Sequence, residues 1–546
     1  MTALRFLRMM RGDIAGRGQE GAKRVQRRQI VSAIAIAATV AFAPLTTEAQ
    51  SVVPVSSPTS PFSGCTAGQE GADPNFENSK VETRVAVNPV NPGNIIGVYQ
   101  QDRWYREGAR AILAAYSMDG GSNWGMSALP FGTCAGGLPF DRVSDPWVSI
   151  GPDGVAYATA LGISTTSNVT AILAATSTDG GKTWGDETVV KQDLAPNHQF
   201  LNDKDSVTSD PVHAGVAYAV WERTLSPSPQ DKSGRDAAPD ILFGVAWFSK
   251  TKDGGKTWAP LRPIIELGRN VRTRGHVIVV DSRTDTLYDF YLLLDLGTTP
   301  ATRSLAFSRS DDMGDRWQGP FHVVDGITVV PVIDTRNVNP ESGNPPTGLR
   351  TPSIFPQPAI DPATGQLYVA WQTRKFGGPA AIGITSSIDG GVSWSEPKRV
   401  DTPTPGAQAF NQSVAVASDH RVGIAYYQLE RTSVGSEPTS YWIKSFAPAA
   451  VTSPDQHAID TAVTAQHVRG PFNMLAAPWG PGYFVGDYGA LAAAGESFVA
   501  FFAATNCLDL SCSALEPSLV LGTAGSNPPL QATGNNSTDI YAAVGF

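Results

Sequence analysis

Five near-copies of one octapeptide punctuate this chain: SMDGGSNW at 117–124, STDGGKTW at 177–184, TKDGGKTW at 251–258, SDDMGDRW at 310–317 and SIDGGVSW at 387–394. The shared pattern is Ser/Thr-x-Asp-x-Gly-x-x-Trp. A segment of this kind does not run on as helix or strand, because Asp and Gly each favour turns. Asp119, Asp179, Asp253, Asp312 and Asp389 are placed to accept hydrogen bonds from backbone N–H groups of the turn. Gly181 and its equivalents supply a conformation that side chains disfavour. Trp184 is expected to return its ring over its own hairpin. The fourth copy has Met313 in place of the first glycine and keeps Asp312, Gly314 and Trp317. Those three positions are therefore the ones the turn requires.

A second pattern lies upstream of each octapeptide. A short β-type run reaches a turn rich in Pro, Asp, Asn or Gly, and another apolar run follows. RVAVNPVNPGNIIGVYQ (84–100) and PAIDPATGQLYVAW (358–371) are two examples. The sixth hairpin, at 413–428, has no octapeptide behind it, and a seventh at 489–504 closes the series. A third strand leads into each octapeptide and a fourth leaves it, as in AILAAT (171–176) and DETVV (186–190). Alternation and β-branched or aromatic enrichment mark all of these as strands. Four-stranded antiparallel units repeated in series are the blades of a β-propeller. The expected fold is thus all-β, a propeller of seven blades, with six as the alternative. The octapeptides form the turns between the third and fourth strands. The high Gly (54) and Pro (41) counts suit such a turn-rich chain.

Residues 1–49 read as an export signal: the basic stretch KRVQRRQ (23–29), the apolar run 30–45, and small residues suited to cleavage near Ala49. The mature chain is expected outside the cytoplasm, periplasmic or extracellular, as a monomer with no membrane span. Residues 50–80 form an N-terminal extension and 81–546 the propeller. Four cysteines suit an oxidising compartment. Cys507 with Cys512 would close a short loop, and Cys65 with Cys134 would tie the mature N-terminus to the first repeat. The net charge of −9 argues against a nucleic-acid partner.

Strand order decides which face works. Octapeptides share one face with the short turns between first and second strands. Long insertions at 224–240, at 325–353 and around 449–482 are assigned to the opposite face, which is the expected binding face. Asp145, Asp203, Lys204, Arg274, His276, Gln357, Asp487 and Tyr488 begin inner strands at that channel mouth. Asp102, Arg103, Glu222 and Arg223 follow second strands there. A mixed ring of this kind suits an anionic, sugar-like ligand, with arginine gripping a carboxylate.

The five octapeptides resemble the Asp-box (BNR) repeats of sialidases and their relatives. That resemblance implies a secreted glycan-active propeller, an exo-glycosidase acting on terminal acidic sugars. It further implies an arginine cluster on the substrate carboxylate, an aspartate acid, and a tyrosine nucleophile activated by a glutamate. By position Arg84 matches the first arginine, Asp102 the acid and Tyr488 the nucleophile, with Glu222 as activator and Arg274 and Arg350 as the other arginines. The first arginine lies in ETRVAV (82–87), where the family has Phe/Tyr-Arg-Ile-Pro. Two further readings stay open: a non-catalytic propeller that binds glycan or protein, and a polysaccharide lyase using His276 with Tyr488. His-Glu-x-x-His and Gly-x-Ser-x-Gly motifs are absent from the sequence. No cofactor is expected, and no loop of the EF-hand type supports calcium.

Overall fold

The computed structural model describes residues 51–546, apart from 72, 168, 194–199, 226–243, 269, 328–348, 352–354, 431–435, 456, 462–463, 479–481, 509 and 511–536. The expected export signal, Cys512 and most of the insertions at 224–240 and 325–353 lie outside the described residues.

Among the described residues the strands group into four-stranded antiparallel units. In the first, Asn75–Val87, Ile95–Trp104, Ala109–Ser117 and Gly125–Ala128 pair in sequence order. The same order recurs from the inner strands Arg142–Ile150, Phe200–Ser209, Val271–Asp281, Gln357–Ile360 and Gln408–Val416. A seventh unit starts at Ala490–Ala494, continues through Ser497–Thr505 and Thr538–Val544, and takes Ser51–Pro54 as its outermost strand. Each inner strand packs on the next, and Ala490–Ala494 packs on Asn75–Val87. The 50–80 segment is therefore no mere extension: its first strand completes the last unit, and Asn75 already belongs to the first.

Second strands are buried on both faces. All ten residues of Ile95–Trp104 are buried, because a unit covers each side. The apolar clusters lie in the seams. One joins Ile96, Val98 and Ile112 of the first unit to Val148, Ala158 and Leu173 of the second.

The octapeptides form the turns between third and fourth strands. In 177–184 the Ser177 hydroxyl donates to Asp179 at 2.9 Å and accepts from the Gly181 N–H at 2.9 Å. Asp179 also accepts from the N–H groups of Lys182 (3.1 Å) and Thr183 (3.0 Å). The opening Ser/Thr is thus as necessary as the aspartate. Asp119, Asp253, Asp312 and Asp389 repeat the arrangement. Two details differ from expectation. Trp184 packs into the seam with the first unit, and its indole N–H donates to Ser127 of that unit at 3.1 Å. The second glycine serves the same seam. At Gly391 φ is +88°, and an added Cβ would strike Phe307 of the preceding unit. The octapeptide therefore docks one unit on another as well as turning the chain.

The sixth unit shows why it lacks an octapeptide. Its third strand, Pro438–Phe446, reaches its fourth, Thr464–Asn473, through two short helices, Pro448–Thr452 and Ala458–Thr461. Both helices therefore lie on the octapeptide face. Only the part after Asn473 connects to the next inner strand, which corrects the expected placement of 449–482. Cys65 is disulfide-bonded to Cys134, and Cys507 is also disulfide-bonded.

Candidate functional site

Five inner strands break register at equivalent places, between Val81 and Arg84, Ser144 and Trp147, Asp203 and Ser206, Arg274 and Val277, and Phe410 and Ser413. The residue at each bulge is left-handed: Glu82 (φ 55°), Asp145 (49°), Lys204 (48°), Gly275 (69°) and Asn411 (57°). Only one of the five is glycine. For the others the conformation costs roughly 1–2 kcal/mol each. Bulges concentrate beside functional sites, where they re-aim side chains. Here they turn three charged residues from neighbouring units towards one another.

Lys204 is the hub. Its Nζ donates to Asp145 Oδ1 and Asp487 Oδ2, both at 2.8 Å, and lies 3.8 Å from Glu82 Oε1. Arg350 donates to the same Asp487 oxygen at 2.7 Å. Arg274 lies 3.2 Å from Glu222 and 3.9 Å from Asp203. Burial opposes the charge on Lys204, but Asp145, Asp487 and Glu82 outweigh it and hold the ammonium well above the usual lysine range. Burial likewise opposes ionisation of Asp487, and Arg350 and Lys204 reverse that, holding it well below the carboxylate range. Glu82 goes the other way. Burial and the neighbouring Asp145 push it up to about 7. Asp203 is also raised to about 7, by burial and by Asp145 and Glu222, against the pull of Lys204. The site thus holds ionised and proton-carrying carboxyls side by side near neutrality, the division of labour that acid–base chemistry needs.

All of these groups except Glu222 line a cavity of about 360 Å³, together with Arg103, Arg106, Glu107, Ser144, Thr351 and Phe355. That is near the small end of ligand pockets, which run from roughly 300 to 1,000 Å³. Arg103 is almost wholly buried, and burial with the neighbouring Arg350 lowers its guanidinium to about 10. Beneath lies a second space of about 20 Å³, lined by Tyr488, Trp147, Asp205, His276 and Gln357. Lys204 and Phe355 border both.

The residues expected from the sequence divide three ways. Arg274, Arg350 and Asp487 line the larger cavity. Tyr488 and His276 lie in the lower space. The Tyr488 hydroxyl is 3.5 Å from Asp145 Oδ1, and burial with nearby Glu82 and Asp145 raises it well above the ordinary phenol range. Three residues border neither space. Arg84 is buried, with NH1 donating to the Gly489 carbonyl at 3.1 Å and NH2 to Gln357 at 2.9 Å. Asp102 accepts from Ser60 (2.5 Å), Asn78 N–H (2.7 Å) and Arg110 (3.3 Å), fastening the N-terminal segment. Glu222 accepts from the Gly275 N–H at 2.6 Å and braces Arg274. The five octapeptide aspartates serve their turns. Sequence reasoning passed over Glu82, and the signal was its register: it stands two residues before Arg84, where its strand resumes pairing, as Asp145 stands before Trp147 and Lys204 before Ser206.

Among the described residues no group of three His, Cys, Asp or Glu side chains is arranged to hold a metal ion. No helix among them is long and apolar enough to cross a membrane.

No protein-family model matches the chain, and no curated protein matches it. Solved structures do resemble it. An α-L-arabinanase from Penicillium chrysogenum, in complex with arabinobiose, is 16% identical over 69% of this chain and 94% of its own, with a TM-score of 0.41. A protein of unknown function from Dyadobacter fermentans is 13% identical over 90% of this chain and 98% of its own, with a TM-score of 0.43. A Trypanosoma rangeli sialidase is 12% identical over 73% of this chain and 53% of its own, with a TM-score of 0.41.

Proposed function

We propose that the chain is an exported seven-bladed β-propeller of the Asp-box type whose axial cavity binds and cleaves a terminal acidic sugar. The observation that carries this reading is the convergence of Arg103, Arg274, Arg350 and Lys204 on the cavity that also holds Glu82 and Asp203. Cations of this kind select a carboxylate-bearing ligand. The two raised carboxyls keep a proton to give near pH 7. Tyr488, with Asp145 beside its hydroxyl, is the nucleophile, in the lower space whose wall shares Lys204 and Phe355 with the cavity. In this scheme Arg103 takes the clamp position assigned to Arg84, and Glu82 or Asp203 takes the acid position assigned to Asp102.

A second reading, binding without turnover, is favoured by the burial of Tyr488, which is only 5% exposed. Release of 4-methylumbelliferone from its α-sialoside and its glucuronide separates the two. Turnover that Tyr488→Phe abolishes, and that either Glu82→Gln or Asp203→Asn abolishes, supports cleavage. Calorimetric binding of the free acidic sugar with no release leaves the binding reading. Neither release nor binding by any acidic sugar removes both.

A further inference from the structure

His276 and Asp289 form a pair that the reading above leaves unused. His276 follows the bulge at Gly275, and its side chain is fully buried. Its Nδ1 lies 2.8 Å from Asp289 Oδ2 on the second strand of the same unit. With Asp289 ionised its carboxylate accepts, which makes Nδ1 the protonated nitrogen and leaves Nε2 with a free lone pair. That Nε2 has no partner in the protein. His276 belongs to the wall of the 20 Å³ space that Tyr488 and Asp205 also line. Neither Asp205 oxygen makes a hydrogen bond of good geometry with the protein. A space of more than about 10–15 Å³ with two or more polar partners holds one water. The other acceptor beside Tyr488, Asp145 Oδ1, already takes a hydrogen bond from Lys204 at 2.8 Å.

We propose that the Asp289–His276 pair is the proton acceptor for Tyr488, reached through one water in the space they share. This rests on the reading that Tyr488 reacts. As the Tyr488 oxygen bonds to the anomeric carbon, its O–H breaks. The bridging water takes that proton and passes one of its own to His276 Nε2. Asp289 stabilises the resulting imidazolium, as an orienting carboxylate does. The leaving oxygen takes its proton from Glu82 or Asp203 as the glycosidic bond breaks. In the second half a water attacks the same carbon and yields its proton to that carboxylate. The bond to Tyr488 breaks, and the proton on Nε2 returns to the phenolate. The charged and titratable groups facing the imidazole are Asp289, Asp205, Lys204 and Tyr488, with the Tyr291 ring packed 4.9 Å away.

The test uses the full chain and the fluorogenic acidic glycoside that it hydrolyses. His276→Gln is expected to lower kcat about 100-fold or more, with KM within about twofold, and to erase the acid limb of the kcat–pH profile. Asp289→Asn is expected to lower kcat in the same direction, because the tautomer is no longer held. Ring ¹⁵N spectra of histidine-labelled protein supply a readout free of turnover. The resonance lost in His276→Gln should report the Nδ1–H tautomer in the wild type. An Nε2–H tautomer, or an acid limb that survives in His276→Gln, overturns the relay while wild-type turnover leaves the cleavage reading intact. A wild type with no turnover on any acidic glycoside removes that reading and the relay with it.

Discussion

The guanidinium carbon of Arg84 lies 3.3 Å from the centroid of the Trp147 ring. The same group bonds Gln357 of the fifth unit and Gly489 of the seventh, so one side chain from the first unit spans the axis to three others. Burial lowers its guanidinium to about 9, which still leaves it charged at neutral pH. A desolvated cation over tryptophan is worth about 2 kcal/mol or more. Lysine cannot reproduce a planar stack with two directed hydrogen bonds. Arg84→Lys is expected to lose about 2–4 kcal/mol of stability in urea. Unchanged stability with lost ligand binding would instead place Arg84 in the clamp.

The two glycines of an octapeptide should respond unequally to alanine. Both have a positive φ, but at Gly391 a Cβ meets Phe307 across the seam, whereas at Gly390 the nearest atom is the Tyr288 hydroxyl at 3.2 Å. The fourth copy already carries Met313 at the position of Gly390. Gly390→Ala is expected to cost about 1 kcal/mol. Gly391→Ala adds overpacking and is expected to cost about 2–4 kcal/mol. Equal midpoints in urea would contradict the docking role of the second glycine.

Glu82 sets a pH dependence with a definite sign. Its carboxyl is raised from 4.5 to about 7 in the fold, so the folded state binds the extra proton between those values. Stability therefore falls as pH rises through that window. The fall attributable to Glu82 is on the order of 3 kcal/mol. Glu82→Gln should make the fall between pH 5 and about 7.5 shallower, leaving the part that the raised carboxyl of Asp203 contributes. A wild-type profile that rises across this window would show that Glu82 ionises freely.

The Cys65–Cys134 disulfide closes a loop with a sequence separation of 69. It secures the segment that Asp102 also fastens. Replacing both cysteines by serine is expected to cost about 2–4 kcal/mol without moving the cavity, which draws no residue from 60–70. Thermal unfolding measures the first effect, and ligand affinity measures the second.

Much of the scaffold was legible because its signals are local. The hairpins, the turns between third and fourth strands and their aspartates follow from composition within eight to twenty residues. Ser177 and Asp179 bond within their own octapeptide, so their role needs no distant partner. The site was legible only as a list of strand-end residues. Arg84 and Arg103 carry the same charge and both flank the first hairpin. One runs under Trp147 while the other borders the cavity. A register break stands immediately before Arg84, and no local pattern announces it.

The sequence by itself determined the repeating unit, because turn chemistry and strand alternation are short-range and recur in order. Only the tertiary structure decided where the repeats meet. Ser51–Pro54 joins Thr538–Val544, Gly391 admits Phe307, and Lys204 gathers Asp145, Asp487 and Glu82 from three units. Those contacts are set by how inner strands close around a common axis. That closure depends on packing between segments hundreds of residues apart, which no window of sequence contains.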